Sequence, residues 1–514
     1  MKTYKPFLPI ILLISYIFFL PACFFPRTVV PEEPVQTATP VSAELVVLHW
    51  NDFHSANLPY QPFSDQKGGD WVGGYATLAG YLDSLKNVNP DAVTLHAGDD
   101  FQGSPVSTVT KGMSQILILN KIQPTAFEIG NHEFDYGVEN VKAAMRKADF
   151  PMISSNIYDS TQSALLLKPY VIRRAGDVRI GIIGAVGADL FSSVLRENVQ
   201  KLSILDPVQE IRRNVALLRD SCDILVVLTH AGFREDSLLA TELQEVDVII
   251  GGHSHTTVRQ PLRVNDILVC QAGSRGRYLG KLVARVNLAE NKIDSYQYDL
   301  LTMDVSGIKP DAGVKVLVDS LEQTIETEMD RKIGDLQTAW RRNGHGESNI
   351  GNWLCDALRD YFQVDIAFHN SGGIRKDLGR GPIIVRDLWE IIPFDNTTML
   401  VKVSGEQLLR LMQWRLDNPR DFLQVSGIRY QYNSSNNELV SVEVGGQEIR
   451  PEKEYSFAAN NYIISYFQRF FGLGEKEVKI VSTPVLVRDV LIEAVEKQGI
   501  IGDSLDGRIV DIAE

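Results

Sequence analysis

Cysteine is scarce in this chain of 514 residues: there are four, and no two form a CxxC pair. Cys222, Cys270 and Cys355 are scattered, which excludes a disulfide framework and leaves a single disulfide undecided. Thiolate metal sites of the zinc-finger kind lack their spacing as well. Positive charge is also short, since 51 Lys and Arg against 65 Asp and Glu leave a formal net charge of −14. A nucleic-acid polymer needs a basic surface, so it is excluded as the main partner. A small anion is not excluded, because a bound metal ion inverts the local field. No short tandem repeat is present. Histidine is rare too, with nine in the chain, and its placement carries much of the information.

What is there reads as a folded, exported protein. Hydrophobic content of 44% and charged content of 23% are ordinary for globular domains, and the length predicts two of them. Lys2 and Lys5 precede the apolar run FLPIILLISYIFFL, and Ala22 precedes Cys23. Residues 1–22 are therefore a signal peptide, outside the fold. LPAC resembles a bacterial lipobox, which implies lipidation of Cys23 and attachment to a membrane of the cell envelope, in the periplasm or at the cell surface. Residues 23–43, rich in proline and small polar residues, read as a tether.

From residue 44 to 305 short β-branched runs alternate with longer helical stretches, the pattern of stacked βαβ units. Val314, Leu317, Val318, Leu321, Ile325, Met329 and Ile333 then recur at helical spacing. They predict one long amphipathic helix in a linker over 306–336. A second mixed α/β domain follows over 337–514.

Five apolar runs of the first domain end in metal-binding residue types. ELVVLHWNDFH runs into Asp52 and His54, DAVTLHAGDD into Asp99 and Asp100, and TAFEIGNHEFD into Asn131 and His132; DILVVLTHAG ends at His230, and VDVIIGGHSH at His253 and His255. A single histidine in such a place usually caps a turn. Five of the nine histidines at strand ends weigh against that reading. In α/β sheets ligands bind beyond the carboxyl ends of the strands. Mixed imidazole and oxygen donors suit zinc, manganese, iron or cobalt. Seven candidate ligands exceed one tetrahedral ion and suit two divalent ions sharing a carboxylate.

In that order DFH, GDDFQGS, GNHEFD, LTH and GGHSH resemble the calcineurin-like metallophosphoesterase domain of the 5′-nucleotidase family. The resemblance implies a four-layer α/β/β/α sandwich followed by a second α/β substrate-specificity domain, joined by a long helix. It implies that Asp52, His54, Asp99 and His255 hold one metal, and that Asp99, Asn131, His230 and His253 hold the other. His255 stands where some relatives carry glutamine. His132 is then not a ligand; it lies over the substrate phosphate, and Asp135 orients its ring. Gly130 lets the backbone approach closely. Glu133 and Asp100 read as structural.

ESNIGNWLCDAL, AFHNSGGIR, IIPFDN and DFLQVSGIRY resemble the C-terminal domain of the same family. By that resemblance Asn370 and Arg375 face the substrate, and Phe394 and Tyr462 sandwich a nucleobase. Two departures stand out. A GGDG-type turn expected after the second aromatic is replaced by NYIISYFQRFFGLGEK. An arginine expected before ESN falls near Gly344, with Arg341 and Arg342 as nearby substitutes. The resemblance implies metal-dependent release of phosphate from nucleoside 5′-monophosphates. Its alternatives are hydrolysis of nucleoside diphosphates, UDP-sugars or 2′,3′-cyclic nucleotides, a thiosulfohydrolase acting on carrier peptides, or a binding protein without turnover.

Overall fold

The computed structural model describes residues 42–62, 70–419, 421–502 and 505–513. The expected signal peptide, Cys23 and nearly all of the tether lie outside the described residues. The first strand, Ser42–Trp50, takes in the last two residues of the expected tether. No helix among the described residues is long and apolar enough to cross a membrane. Cys222, Cys270 and Cys355 are free and buried.

The first domain is built on two six-stranded sheets. In one, Ser42–Trp50, Val93–His96, Ala126–Glu128 and Met152–Ile153 run parallel. In the other, Val178–Val186, Ile224–His230, Val248–Ile250 and Ile267–Cys270 do the same. Val47, Leu95 and Ala126 of the first sheet share a core with Ile182, Val226 and Ile250 of the second. Each sheet carries helices on its outer face, with Leu78 and Leu119 packed on one side and Ile211 and Leu239 on the other. The four layers expected from the resemblance are therefore present. Strands covered on both faces read as near-continuous apolar runs, and Leu45–Trp50 is buried throughout.

The long linker helix is corrected. Ala312–Gln323 is helical, capped by Asp311, whose side chain accepts from Val314 N at 2.7 Å. The chain then tightens: Thr324 N donates to Leu321 O and Ile325 N to Glu322 O. A short helix, Glu326–Met329, leads into a strand, Lys332–Leu336. Two consecutive β-branched residues, Thr324 and Ile325, mark the break. The helical spacing runs through it because it serves two cores: Val314 and Val318 pack into the first domain, Met329 and Ile333 into the second.

The second domain centres on a five-stranded sheet, ordered Leu423–Ser426, Ile366–Asn370, Glu454–Asn460, Thr397–Ser404, Lys479–Leu486. A largely buried ion pair joins it to the linker helix. Glu322 accepts from Arg386 Nη1 at 2.6 Å and from Asn57 of the first domain at 3.2 Å. Removing one member of a buried pair strands the other charge. Arg386→Ala is expected to cost about 3 kcal/mol, read as a lowered urea midpoint; an unchanged midpoint would deny this pair its role at the junction.

Candidate metal centre and substrate cleft

The parallel strands of both sheets point their carboxyl ends at one place. Asp52 and His54 follow Ser42–Trp50, Asp99 follows Val93–His96, and Asn131 and His132 follow Ala126–Glu128. From the second sheet come His230, the last residue of its strand, and His253 and His255 after Val248–Ile250. Donor atoms of Asp52, His54 and His255 lie within 4.8 Å of one another, and so do those of Asp99, His230 and His253. Asn131 Oδ1 is 2.9 Å from His253 Nδ1. All seven residues named from the sequence are thus close together, and donor atoms of His54, Asp99 and His132 form a third group within the same 4.8 Å.

The backbone shows what holding them there requires. Asp52, His54, Asp99, His253 and His255 have φ between 48° and 77°, a left-handed conformation that non-glycine residues rarely adopt and that clusters at functional sites. Gly130 is needed for space, since a Cβ there would overlap Asp99 Oδ1. Glu133 supplies a clamp. Its carboxylate accepts the backbone N–H groups of Asp99, Asp100, Phe101 and Gly130 at 2.6–3.2 Å. Asp100 is structural too, accepting from Tyr75 Oη at 2.5 Å and Ser55 N at 3.2 Å. Asn51 fixes Asp52, donating to its Oδ2 at 2.6 Å, and His253 N donates to the same carboxylate at 3.0 Å.

The donor set fits cations. His54 Nε2 and His255 Nε2 face each other at 2.9 Å. Burial, His255 and Arg375 hold His54 well below the usual histidine range, so its ring is neutral with a lone pair to offer. Burial and His230 bring His253 down to about 4. His230 Nδ1 donates to Ala97 O at 2.7 Å, which turns Nε2 toward Asp99 Oδ2, 3.1 Å away. That gap takes either a proton or a metal cation.

His132 is differently engaged. Its Nδ1 donates to Asp135 Oδ2 at 2.7 Å, and its Nε2 lies 3.8 Å from Asp99 Oδ2. Burial would lower its pKa, but Asp99 and Asp135 more than reverse this and hold it above the ordinary value.

A cleft of about 650 Å³ opens over this centre, lined by Asp99, His132 and His255 from the first domain and by Asn370, Arg375, Phe394 and Tyr462 from the second. Arg375 Nη2 comes within 3.3 Å of His54 Nε2. The Phe394 ring lies 5.7 Å from that of His132. All four substrate-facing residues expected from the sequence therefore share a cavity with the metal-binding cluster.

The two departures also have physical outcomes. Arg342 bonds to Asp377 and the Ile374 carbonyl, and neither it nor Arg341 is among the described residues lining the cleft. The stretch after Tyr462 forms helices Asn461–Ser465 and Phe467–Phe471 and grips the first domain. Tyr462 Oη donates to Ser192 O at 3.0 Å, as does Arg469 Nη1, and Tyr466 Oη lies 2.6 Å from the carbonyls of Phe191 and Val194. Asp421, paired with Arg469, also lines the cleft, as do Glu197 and Asn198. Asp421 opens the DFLQVSGIRY motif, though nothing in that motif marked it as a cleft residue, and no motif pointed to Glu197 or Asn198.

Residues 45–257 match the family model for calcineurin-like phosphoesterase, and residues 325–472 match that for the 5′-nucleotidase C-terminal domain. The chain belongs to the 5′-nucleotidase family. This domain pair is that of a metal-dependent hydrolase. The chain is 27% identical to the 5′-nucleotidase of Bos taurus, over 88% of this chain and 90% of that one. The crystal structure of a 5′-nucleotidase precursor from Thermus thermophilus superposes with a TM-score of 0.84 at 26% identity, covering 92% of this chain and all of the other. A Thermus thermophilus sulfate thiohydrolase shares the fold, with a TM-score of 0.79 at 17% identity over 91% and 97% of the two chains.

Glu133→Gln tests the clamp. It points an amide N–H₂ at backbone donors and is expected to cost about 2 kcal/mol and to weaken metal binding, read by thermal unfolding with and without manganese. Stability and metal affinity equal to the parent would show that the four hydrogen bonds contribute nothing.

Proposed function

We propose that the chain is an exported dinuclear-metal phosphohydrolase that releases phosphate from nucleoside 5′-monophosphates. The observation that carries this reading is the single cleft shared by the metal-binding cluster, Arg375 and two aromatic rings. Asp52, His54, Asp99 and His255 would hold one divalent ion, and Asp99, Asn131, His230 and His253 the second. When bound, such a pair supplies an activated water and neutralises phosphoryl charge. The chain's own residues do the rest. Arg375 offers a planar fork of donors to the phosphoryl oxygens. His132, whose pKa Asp99 and Asp135 raise above the ordinary histidine value and whose ring Asp135 orients, donates to the oxygen on which charge accumulates. Phe394 and Tyr462 form apolar walls that suit any nucleobase, and Asn370, fixed by Asn460 at 2.9 Å, offers a polar contact in the same cleft.

The aromatic walls favour a nucleotide over a sulfur-bearing peptide. The intact ligand set and the intact His132–Asp135 pair favour turnover over mere binding. Export and lipid attachment rest on the N-terminal sequence, with Cys23 as the anchored residue.

The test is phosphate release from AMP, UMP, UDP-glucose and 2′,3′-cyclic AMP, with manganese, cobalt or zinc and with chelator. Metal-dependent hydrolysis of AMP is expected. His132→Ala should lower kcat about 10²–10³-fold while metal content stays at the parent level. Hydrolysis confined to UDP-glucose or the cyclic nucleotide would transfer the proposal to those substrates, and metal binding without any release would make the chain a binding protein.

A further inference from the structure

A second positively charged feature lies outside the metal centre. The strand-end segment carrying His253 and His255 continues to Arg259, and the bridge between Thr257 and Ala272 brings it beside the turn Ser274–Arg277. That turn is fixed from the centre itself, because Arg275 N donates to Asp52 O at 2.7 Å. Two guanidinium groups flank the ring of Tyr278, Arg259 at 5.7 Å and Arg277 at 5.3 Å, and Arg275 sits over Tyr60 at 5.4 Å. Arg259 and Arg277 are exposed. Arg275 is close enough to Arg375 in the cleft for their charges to repel.

Among the described residues these three arginines form no ion pair with a carboxylate. Elsewhere the chain does pair its arginines, as in Arg179–Asp223, Arg386–Glu322 and Arg508–Asp356. Cation–π contact orients a guanidinium without neutralising it. Arg275 is close enough to Glu390 to help hold that carboxyl below its usual range, whereas the exposed charges of Arg259 and Arg277 are left for solvent and for anions. In a chain of net charge −14, a dianion approaching the cleft is repelled by the molecule as a whole. Screening limits that field to about 8 Å at physiological salt, so charges close to the centre decide capture.

We propose that Arg259, Arg275 and Arg277 form an anion-capture site beside His255, which takes the phosphate dianion of an incoming monoester and hands it to Arg375. The inference rests on the proposed hydrolysis of phosphate monoesters. It makes Arg259 and Arg277 determinants of KM and of salt dependence.

The experiment uses the full chain loaded with manganese and compares the parent with the pair Arg259→Gln/Arg277→Gln and the pair Arg259→Lys/Arg277→Lys. Orthophosphate affinity is measured by calorimetry, and kcat/KM for AMP is followed as salt rises. The glutamine pair should lose about 5–10-fold in kcat/KM at low salt, with the loss in KM, a flatter salt dependence and weaker orthophosphate binding. The lysine pair should restore all three. Parental phosphate affinity and parental salt slope in the glutamine pair would overturn the site, even with AMP hydrolysed normally. Weakened phosphate binding in a protein that hydrolyses no nucleotide would keep the site and reject the activity.

Discussion

Asp99 is the residue on which the arrangement depends. Its turn belongs to one sheet, and its Oδ2 lies 3.1 Å from His230 Nε2 at the end of a strand of the other. Its Oδ1 accepts from His132 N at 2.9 Å, and its own N–H is held by Glu133. One buried carboxylate thus joins the two sheets and lies within 4.8 Å of donor atoms of His54 and His132 on one side and of His230 and His253 on the other. Both sheets end here because parallel strands place their carboxyl ends on one side. The left-handed turns then bring short side chains inward at a backbone cost that a bound cation offsets.

That cost explains what the sequence did and did not disclose. The strand ends were legible because histidine is rare and sits behind apolar runs, and Gly130 was legible because the chain turns sharply where Asp99 needs room. The clamp made by Glu133 was not: a glutamate three residues after a glycine carries no sign that four backbone amides will converge on it. The linker was misread for a related reason. Periodicity reports which side of a helix is buried but not against which core, so Val318 and Ile333 looked like one stripe although they serve different domains. Glu197 and Asn198 line the cleft from a short helix outside any motif, Asp421 lines it from the start of DFLQVSGIRY, and their placement follows from how the domains meet.

The second domain departs from the pattern of its resemblance at one rim of the cleft, and the departure has a use. Where a glycine-rich turn was expected, Tyr466 and Arg469 hold the carbonyls of residues 191–194. Phe394, its ring tilted 30° to that of His132 at 5.7 Å, keeps an aromatic wall next to the candidate metal ligands. The cleft thus keeps the residues that the family resemblance implies on both domains, while the segment after Tyr462 departs from the expected turn.

The most direct test of the account is the number of manganese ions bound per chain, measured by calorimetric titration of the parent and of Asp99→Asn. Two ions in the parent and weakened binding of both in the variant are predicted, because one carboxylate is proposed to serve both. A single ion in the parent, or a variant that binds as the parent does, would contradict the shared carboxylate at the centre of this description.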